Sequence, residues 1–368
     1  MSEKVPIGEK VLMKGNEAIG EAAVQAGCMG YFGYPITPQN ELTAYMSRRM
    51  LEEGRVFIQS ESEIAAINMC FGAATVGNRC MTSSSSPGIS LKQEGISYMA
   101  SAELPVFYVN VNRGGPGLGN ISPAQSDYFQ ATRGGGHGDY RVIVFGPSNV
   151  QELYDYTMLG FDLADKYRNP AMILADGILG QMMEPVVLRP YTPIPDLPSK
   201  QPWRLGDPST TEPLLITSLI LNVQGMEERN YQLLEKYEEI EKNETRWEEY
   251  KTDDADIAIV AYGTAARISR NVIERAREQG IKVGLFRPIT IWPYPSKPLN
   301  ALADRVKSLL VVEMSLGQMW EDVRLSVEGK VKVHLHGRTA GGIPVEEQII
   351  EQLKQALEYK GDGYLRNF

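Results

Sequence analysis

The sequence predicts an α/β protein with parallel sheets covered by helices on both faces, divided into two domains. Three observations predict it. Short apolar runs alternate with helix-length amphipathic segments, the pattern of a parallel sheet. The runs are apolar on successive residues, as in Val106-Phe107-Tyr108-Val109, which a sheet buried on both faces requires. The alternation stops after Gly180, where eight prolines fall between Pro185 and Pro213, and then resumes.

Taken in order, strands are expected at Tyr31–Tyr34, Val56–Gln59, Arg79–Thr82, Pro105–Val111 and Ala171–Ala175. Helices are expected at Glu17–Ala26, Gln39–Glu53, Glu63–Val76, Ile89–Ala102 and Val150–Lys166. The Pro-rich stretch suits neither a helix nor a central strand and reads as a linker over the surface. Met226–Asp254 follows, with eleven acids and five bases, and reads as a solvated acidic helix, with docking of a basic partner as the other reading. The alternation then returns with strands at Ile257–Ala261, Lys282–Phe286, Ser308–Glu313 and Lys330–His334, and helices at Ala265–Gln279, Gly317–Val327 and Val345–Tyr359. The expected organisation is a domain at 1–184, a Pro-rich linker with the acidic helix at 185–254, and a smaller α/β domain at 255–368. A chain of 368 residues accommodates this at about 150 residues per domain.

Composition narrows the function classes. The net charge is −9 with no basic stripe, so no nucleic-acid surface is expected. No apolar run approaches the roughly 18 residues of a membrane span, and the first residues lack the apolar core of a secretory signal. Cys28, Cys70 and Cys80 are too few and too widely spaced for a disulfide framework, which reads as a reducing cytoplasm. Three thiols also fall short of the four that an iron–sulfur cubane normally needs.

The chemistry-bearing residues gather where strands end and helices begin, the ligand-binding edge of a parallel sheet. In Gly33-Tyr34-Pro35-Ile36-Thr37-Pro38, Thr37 is either an N-cap or a hydroxyl offered to a ligand. In Gln59-Ser60-Glu61-Ser62-Glu63, Ser60 and Glu63 have capping-box spacing, and Glu63 is alternatively a carboxylate held for a ligand nitrogen. Thr82-Ser83-Ser84-Ser85-Ser86-Pro87-Gly88 could cap a helix or bind an anion. Asn112-Arg113-Gly114-Gly115-Pro116-Gly117-Leu118-Gly119 places an arginine able to grip a carboxylate bidentately. Its glycines do not open a helix, which argues against a dinucleotide fingerprint. Gly361-Asp362-Gly363 lies too near the end of the sequence for a Mg-diphosphate motif. His334 and His336 could ligate zinc, but read as alternating residues near a strand end.

These motifs, in this order, resemble the alpha chain of the 2-oxoacid:ferredoxin oxidoreductases. The matching residues are Gly33 to Pro38, Ser62-Glu63-Ile64-Ala65-Ala66, Ser86-Pro87-Gly88 with Ile89-Ser90-Leu91, and Arg113 to Pro116. Phe286 to Pro293 and Glu313 to Gln318 are similar to that chain's second domain. Ser85-Ser86-Pro87 departs from the Ser-Gly-Pro of many members. The resemblance implies a pyrimidine-binding domain for thiamine diphosphate followed by a domain like the C-terminal domain of transketolase. It implies that a beta chain carries the Mg2+-diphosphate half-site and a [4Fe-4S] cluster. Gamma and ferredoxin-like delta chains, CoA and ferredoxin complete the expected system. Residue by residue, Glu63 matches the carboxylate that faces N1′ of the aminopyrimidine, and Pro35 and Ser86 match cofactor-binding positions. Arg113 and Thr37 match positions beside the substrate carboxylate. The branched-chain type, acting on 3-methyl-2-oxobutanoate, is the most similar, with 2-oxoglutarate or pyruvate as alternative substrates. A non-catalytic scaffold subunit is the alternative of another class.

Overall fold

The structure, a computed structural model, describes residues 7–209 and 213–368. In chain order the first part comprises β1 (Lys10–Lys14), α1 (Gly15–Gln25), β2 (Gly30–Gly33), α2 (Asn40–Glu52), β3 (Val56–Gln59), α3 (Glu63–Thr75), β4 (Cys80–Ser84) and α4 (Ser86–Ser101). It continues with β5 (Phe107–Asn112), α5 (Tyr128–Arg133), β6 (Ile143–Phe145), α6 (Val150–Tyr167), β7 (Ala171–Asp176), α7 (Gly177–Gln181) and β8 (Met183–Val187). The acidic helix α8 (Val223–Glu244) and β9 (Trp247–Tyr250) follow. Then come β10 (Ile257–Val260), α9 (Gly263–Glu278), β11 (Val283–Pro288), β12 (Thr290–Trp292), α10 (Ser296–Ala303) and β13 (Ser308–Glu313). The last elements are α11 (Gln318–Val327), β14 (Lys332–Gly337), α12 (Glu346–Glu358) and β15 (Arg366–Asn367).

The strands form a seven-stranded sheet in the order β12-β6-β7-β5-β4-β2-β3 and a six-stranded sheet in the order β15-β14-β13-β10-β11-β9. All neighbours are parallel except β12 on β6 and β9 on β11. β1 and β8 pair separately and antiparallel. In the first sheet β4, β5 and β7 are buried along their whole length, and their successive apolar residues are the signal that predicted them. Their carboxyl ends all point to one edge, and that edge carries the candidate site.

Several expectations are corrected. The linker begins one strand later than its prolines suggest: Pro185 sits in β8, opposite Leu12, in a two-stranded sheet whose free edges tolerate a residue without an N–H. The acidic helix stops at Glu244 instead of running to residue 254. Its Leu233, Tyr237 and Ile240 form a buried stripe at helical spacing, so one face is packed rather than solvated. Past Glu244 the Arg246 amide donates to Thr290 Oγ1 at 2.9 Å, and its carbonyl accepts from the Ile289 amide at 3.0 Å. These bonds draw the chain out of the helix and into β9.

The segment after β11 was not assigned an element from the sequence. Its Thr290–Trp292 return to the first sheet as the edge strand β12, with Trp292 edge-on to Tyr237 at 5.7 Å between ring centres. At the same crossing Arg287 is buried and bonds both carboxylate oxygens of Glu152, at 2.7 and 2.8 Å, and Glu248 at 2.9 Å. It thus pins β11 to α6 of the first domain. Removing one partner of a buried pair strands the other charge, so Arg287→Ala is expected to cost about 3 kcal/mol or more in urea unfolding.

Candidate active site

Four turns build one rim. The first leaves β2. Ile36–Gln39 forms a turn closed by the Gln39 amide on the Ile36 carbonyl at 3.1 Å, so α2 starts at Asn40 with Gln39 as its N-cap residue. Thr37 is therefore not the N-cap. Its Oγ1 accepts from Asn40 Nδ2 at 3.2 Å. Gln39, fully buried, accepts from Ser83 Oγ at 2.6 Å and from Thr43 Oγ1 at 3.1 Å, and donates to the Tyr34 carbonyl at 3.3 Å. The Tyr31 hydroxyl joins the same network through Ser83 (2.6 Å) and Thr43 (2.9 Å). This floor fixes the turn that carries the exposed Pro35 and the partly exposed Thr37.

The second turn leaves β3. Ser62, not Ser60, caps α3, accepting the Ala65 amide at 3.2 Å. Ser60 instead donates to the Gly33 carbonyl at 3.1 Å and ties this turn to the first. The capping box expected from Ser60 and Glu63 does not form, because Ser62 already satisfies the helix end. Glu63 is the first residue of α3 and is only 6 % exposed. Among the described residues nothing donates a hydrogen bond to its carboxylate, and no cation forms an ion pair with it. A nearly buried carboxylate left so is costly unless a ligand uses it.

The third turn leaves β4 and opens α4 at Ser86. A Cβ on Gly88 would stand 2.0 Å from Ser84 Oγ and 2.6 Å from Glu63 Oε1, so glycine is what lets Glu63 lie against this helix. Gly88→Ala adds about 1 kcal/mol of intrinsic helix propensity, but the clash with the buried Ser84 Oγ outweighs it, so the melting temperature should fall. It is also expected to lower turnover about 100-fold, because displacing a positioned group by an ångström commonly does so. Assay of the assembled complex beside its melting curve checks both parts.

The fourth turn leaves β5. Arg113 is 9 % exposed, and its guanidinium donates to the Thr37 carbonyl at 3.0 Å and the Leu118 carbonyl at 2.8 Å. Ser86 Oγ accepts the Arg113 amide at 3.0 Å and lies 3.2 Å from both Asn112 Oδ1 and the Arg113 carbonyl. The loop that follows folds back on itself and is tied to the second domain by Asn120 Nδ2 on the Ala340 carbonyl at 2.9 Å.

These contacts bring all five predicted residues to one rim. Arg113 touches Thr37 and Ser86 directly, Ser86 shares its turn with Gly88, and Gly88 abuts Glu63. Pro35 stands two residues from Thr37. Along the same edge Thr82 Oγ1, Ser84 Oγ, Ser85 Oγ, Asn112 Nδ2 and Arg113 Nε are buried and have no partner among the described residues. Unmatched buried donors of this density mark a place built to meet a ligand. Sequence reasoning missed Gln39, Lys92 and the pair Asn110 and Asn112. The asparagines carried a signal: polar residues at alternate positions of an otherwise apolar strand. Asn110 accepts the Ser86 amide at 3.1 Å and donates to Asp127 at 2.8 Å, and burial pushes the Asp127 carboxyl up.

The histidines stand apart from the rim. On β14, His336 Nδ1 meets Gln352 Oε1 at 2.7 Å and His334 Nδ1 accepts the Leu365 amide at 3.0 Å. Burial pushes His334 down to about 4, so it is a neutral acceptor holding the C-terminal segment.

Two α/β domains, with an acid and a guanidinium N–H that have no partner among the described residues at the carboxyl edge of the first, fit a ligand-binding enzyme chain. Residues 21–249 match the family described as "Pyruvate flavodoxin/ferredoxin oxidoreductase, thiamine diP-bdg", and residues 255–349 match "Pyruvate:ferredoxin oxidoreductase core domain II". The chain belongs to the 2-oxoacid:ferredoxin oxidoreductase family, and its first domain is the thiamine diphosphate-binding domain of that family. It is 50 % identical over 351 residues to the ketoisovalerate oxidoreductase subunit VorB of Methanothermobacter thermautotrophicus, covering 95 % of this chain and 99 % of that one. It is 35 % identical to the 2-oxoglutarate synthase subunit KorA of the same organism, over 94 % and 98 % of the two chains. Among solved structures it resembles the 2-oxoglutarate:ferredoxin oxidoreductase of Magnetococcus marinus, at a TM-score of 0.85 and 26 % identity. That match covers 95 % of this chain and spans 65 % of the other. These relatives are named as subunits, so the chain is part of a multi-subunit oxidoreductase.

Proposed function

We propose that this chain supplies the pyrimidine half-site of an oxidoreductase that converts a branched-chain 2-oxoacid, 3-methyl-2-oxobutanoate, with CoA to acyl-CoA, CO2 and reduced ferredoxin. One observation carries the reading: the nearly buried Glu63, whose carboxylate accepts no hydrogen bond among the described residues, and the buried Arg113 Nε, which has no partner among them, share one rim. The orphaned donors and the close approach of Glu63 to Gly88 fit the aminopyrimidine end of thiamine diphosphate. When bound, the cofactor supplies the carbanion and the electron sink. This chain's residues then bind and orient. Glu63 holds a proton at N1′ of the aminopyrimidine. Arg113 Nε donates to the substrate carboxylate, and the Thr37 hydroxyl stands beside it. Pro35 shapes the cofactor side of the first turn. Ser86 contributes at the cofactor side and, through its bonds to the Arg113 backbone, keeps that arginine in place.

The remaining parts belong to partner chains. A beta chain would bring the Mg2+-diphosphate half-site and a [4Fe-4S] cluster, and gamma and ferredoxin-like delta chains the further electron path. Support comes from the surface beside Glu63: β3 and the first turn of α3 expose Val56, Ile58 and Ile64, apolar residues that a partner chain would cover. The free, buried thiols suit a reducing cytoplasm.

The substrate follows the 50 % relative, whose printed name is ketoisovalerate oxidoreductase, and 2-oxoglutarate is the second reading on the 35 % relative. The test is oxoacid-dependent viologen reduction, with CoA, by the complex that copurifies anoxically on this chain. Preference for 3-methyl-2-oxobutanoate or 4-methyl-2-oxopentanoate supports the proposal. Preference for 2-oxoglutarate or pyruvate keeps the mechanism and replaces the substrate. Inactivity of a cofactor-loaded complex on every acid points to the scaffold role.

A further inference from the structure

Lys92 lies inside α4 with none of its surface exposed. Fully buried lysines are rare unless paired. Among the described residues this ammonium forms no ion pair and makes one hydrogen bond, to the backbone carbonyl of Glu63 at 3.3 Å. That carbonyl belongs to the first turn of α3, the turn that aims the Glu63 carboxylate into the rim. A lysine in this place adds nothing to packing that an apolar side chain of similar length would not, and it brings a charge under the one carboxylate the site uses.

We propose that Lys92 is a positioning residue for Glu63: it braces the turn that carries the carboxylate and sets how readily that carboxylate shares a proton with a bound aminopyrimidine. The inference rests on the reading of Glu63 as the group that faces the cofactor.

Burial pushes the Lys92 ammonium down to about 8, while the Cys70 thiol on α3 and Glu63 pull it back up. Burial pushes the Tyr31 phenol on β2 up to about 12 and the Tyr108 phenol on β5 well up. The Cys80 thiol on β4 is pushed up by its contact with Cys70 and by burial. Lys92 is thus a group beside Glu63 whose charge changes close to neutral pH. Protonated, it opposes the placing of a second positive charge on the aminopyrimidine. At an effective dielectric of about 20, a unit charge within roughly 12 Å moves a proton affinity by about one pH unit or more.

The test is thiamine diphosphate binding by the assembled complex, followed calorimetrically from pH about 6 to about 9, beside thermal melting of the same samples. Lys92→Met is expected to move the binding midpoint up by about one pH unit without lowering the melting temperature, since trading a buried charge for an apolar side chain is often neutral or stabilising. Lys92→Arg, which keeps the charge, should hold the wild-type midpoint. If the methionine variant does not assemble, Lys92→Gln is read in the same way. A neutral variant with the wild-type midpoint overturns the proposal, whether or not it melts lower. Glu63→Gln separates the two failures. Loss of the midpoint in Glu63→Gln together with no shift in Lys92→Met removes Lys92 alone. A midpoint that survives Glu63→Gln removes the Glu63 reading and this inference with it.

Discussion

Glu63→Gln is expected to leave the complex assembled and to lower its turnover by at least about 100-fold, the usual contribution of one positioned proton-handling group. The two side chains are nearly the same size, so the cradle at Gly88 still closes. What is lost is the negative charge and the ability to hold a proton at N1′. The cost to the fold is small. Ser62 caps α3, so Glu63 contributes to the helix only through the macrodipole, about 0.3–1 kcal/mol. A purely structural carboxylate would show the opposite balance, with a lower melting temperature and near-normal turnover. Viologen reduction and melting of one preparation distinguish the two, and near-normal turnover removes Glu63 from the mechanism.

Arg113→Met is expected to lower kcat/KM for the oxoacid by about 100-fold or more, since truncating a buried charge that pairs with a ligand costs about 2–5 kcal/mol. Most of the change should fall on KM, because the grip is made on the bound acid before its carboxylate leaves as CO2. Two of the guanidinium's bonds go to the Thr37 and Leu118 carbonyls, so the variant also loosens the loop after β5. A second measurement isolates the substrate term: wild type should strongly prefer the acid over its primary amide, and the variant should not. Unchanged preference in Arg113→Met would assign the arginine to loop architecture alone. Lysine is a poor replacement, since its three donors radiate from one nitrogen and cannot span two separate carbonyls and a ligand as the planar guanidinium does.

Much of this was legible in the residue pattern. The strands of a doubly covered sheet must be apolar on successive residues, so β5 and β7 announce themselves, and their turns follow at fixed offsets. The rim was legible for the same reason: polar residues at the carboxyl ends of buried strands have few structural uses, and Glu63, Arg113, Thr37, Ser86 and Pro35 all lie there. Individual roles were less so. Ser60 and Ser62 both precede Glu63, and only the backbone path decides which one caps α3. Thr37 has the composition of an N-cap, yet a turn closed by Gln39 delays the helix by two residues. Strand β12 could not be found by periodicity, because three residues are too few to show a period, and its place depends on a sheet edge some 145 positions away in the chain.

The sequence by itself therefore determined the α/β class, the strand–helix alternation on either side of the Pro-rich stretch, the family and the sheet edge where the candidate residues gather. Each rests on local pattern: hydrophobic period, turn residues, and motifs a few residues long. Tertiary structure alone decided that Glu63 is unpaired, that Ser86 is spent on the Arg113 backbone, that β12 rejoins the first sheet, and that Lys92 is buried. Those facts turn on which side chains meet across elements distant in sequence. A lysine on a helix carries no local mark of burial, since its environment is made by the neighbouring helix and the sheet beneath.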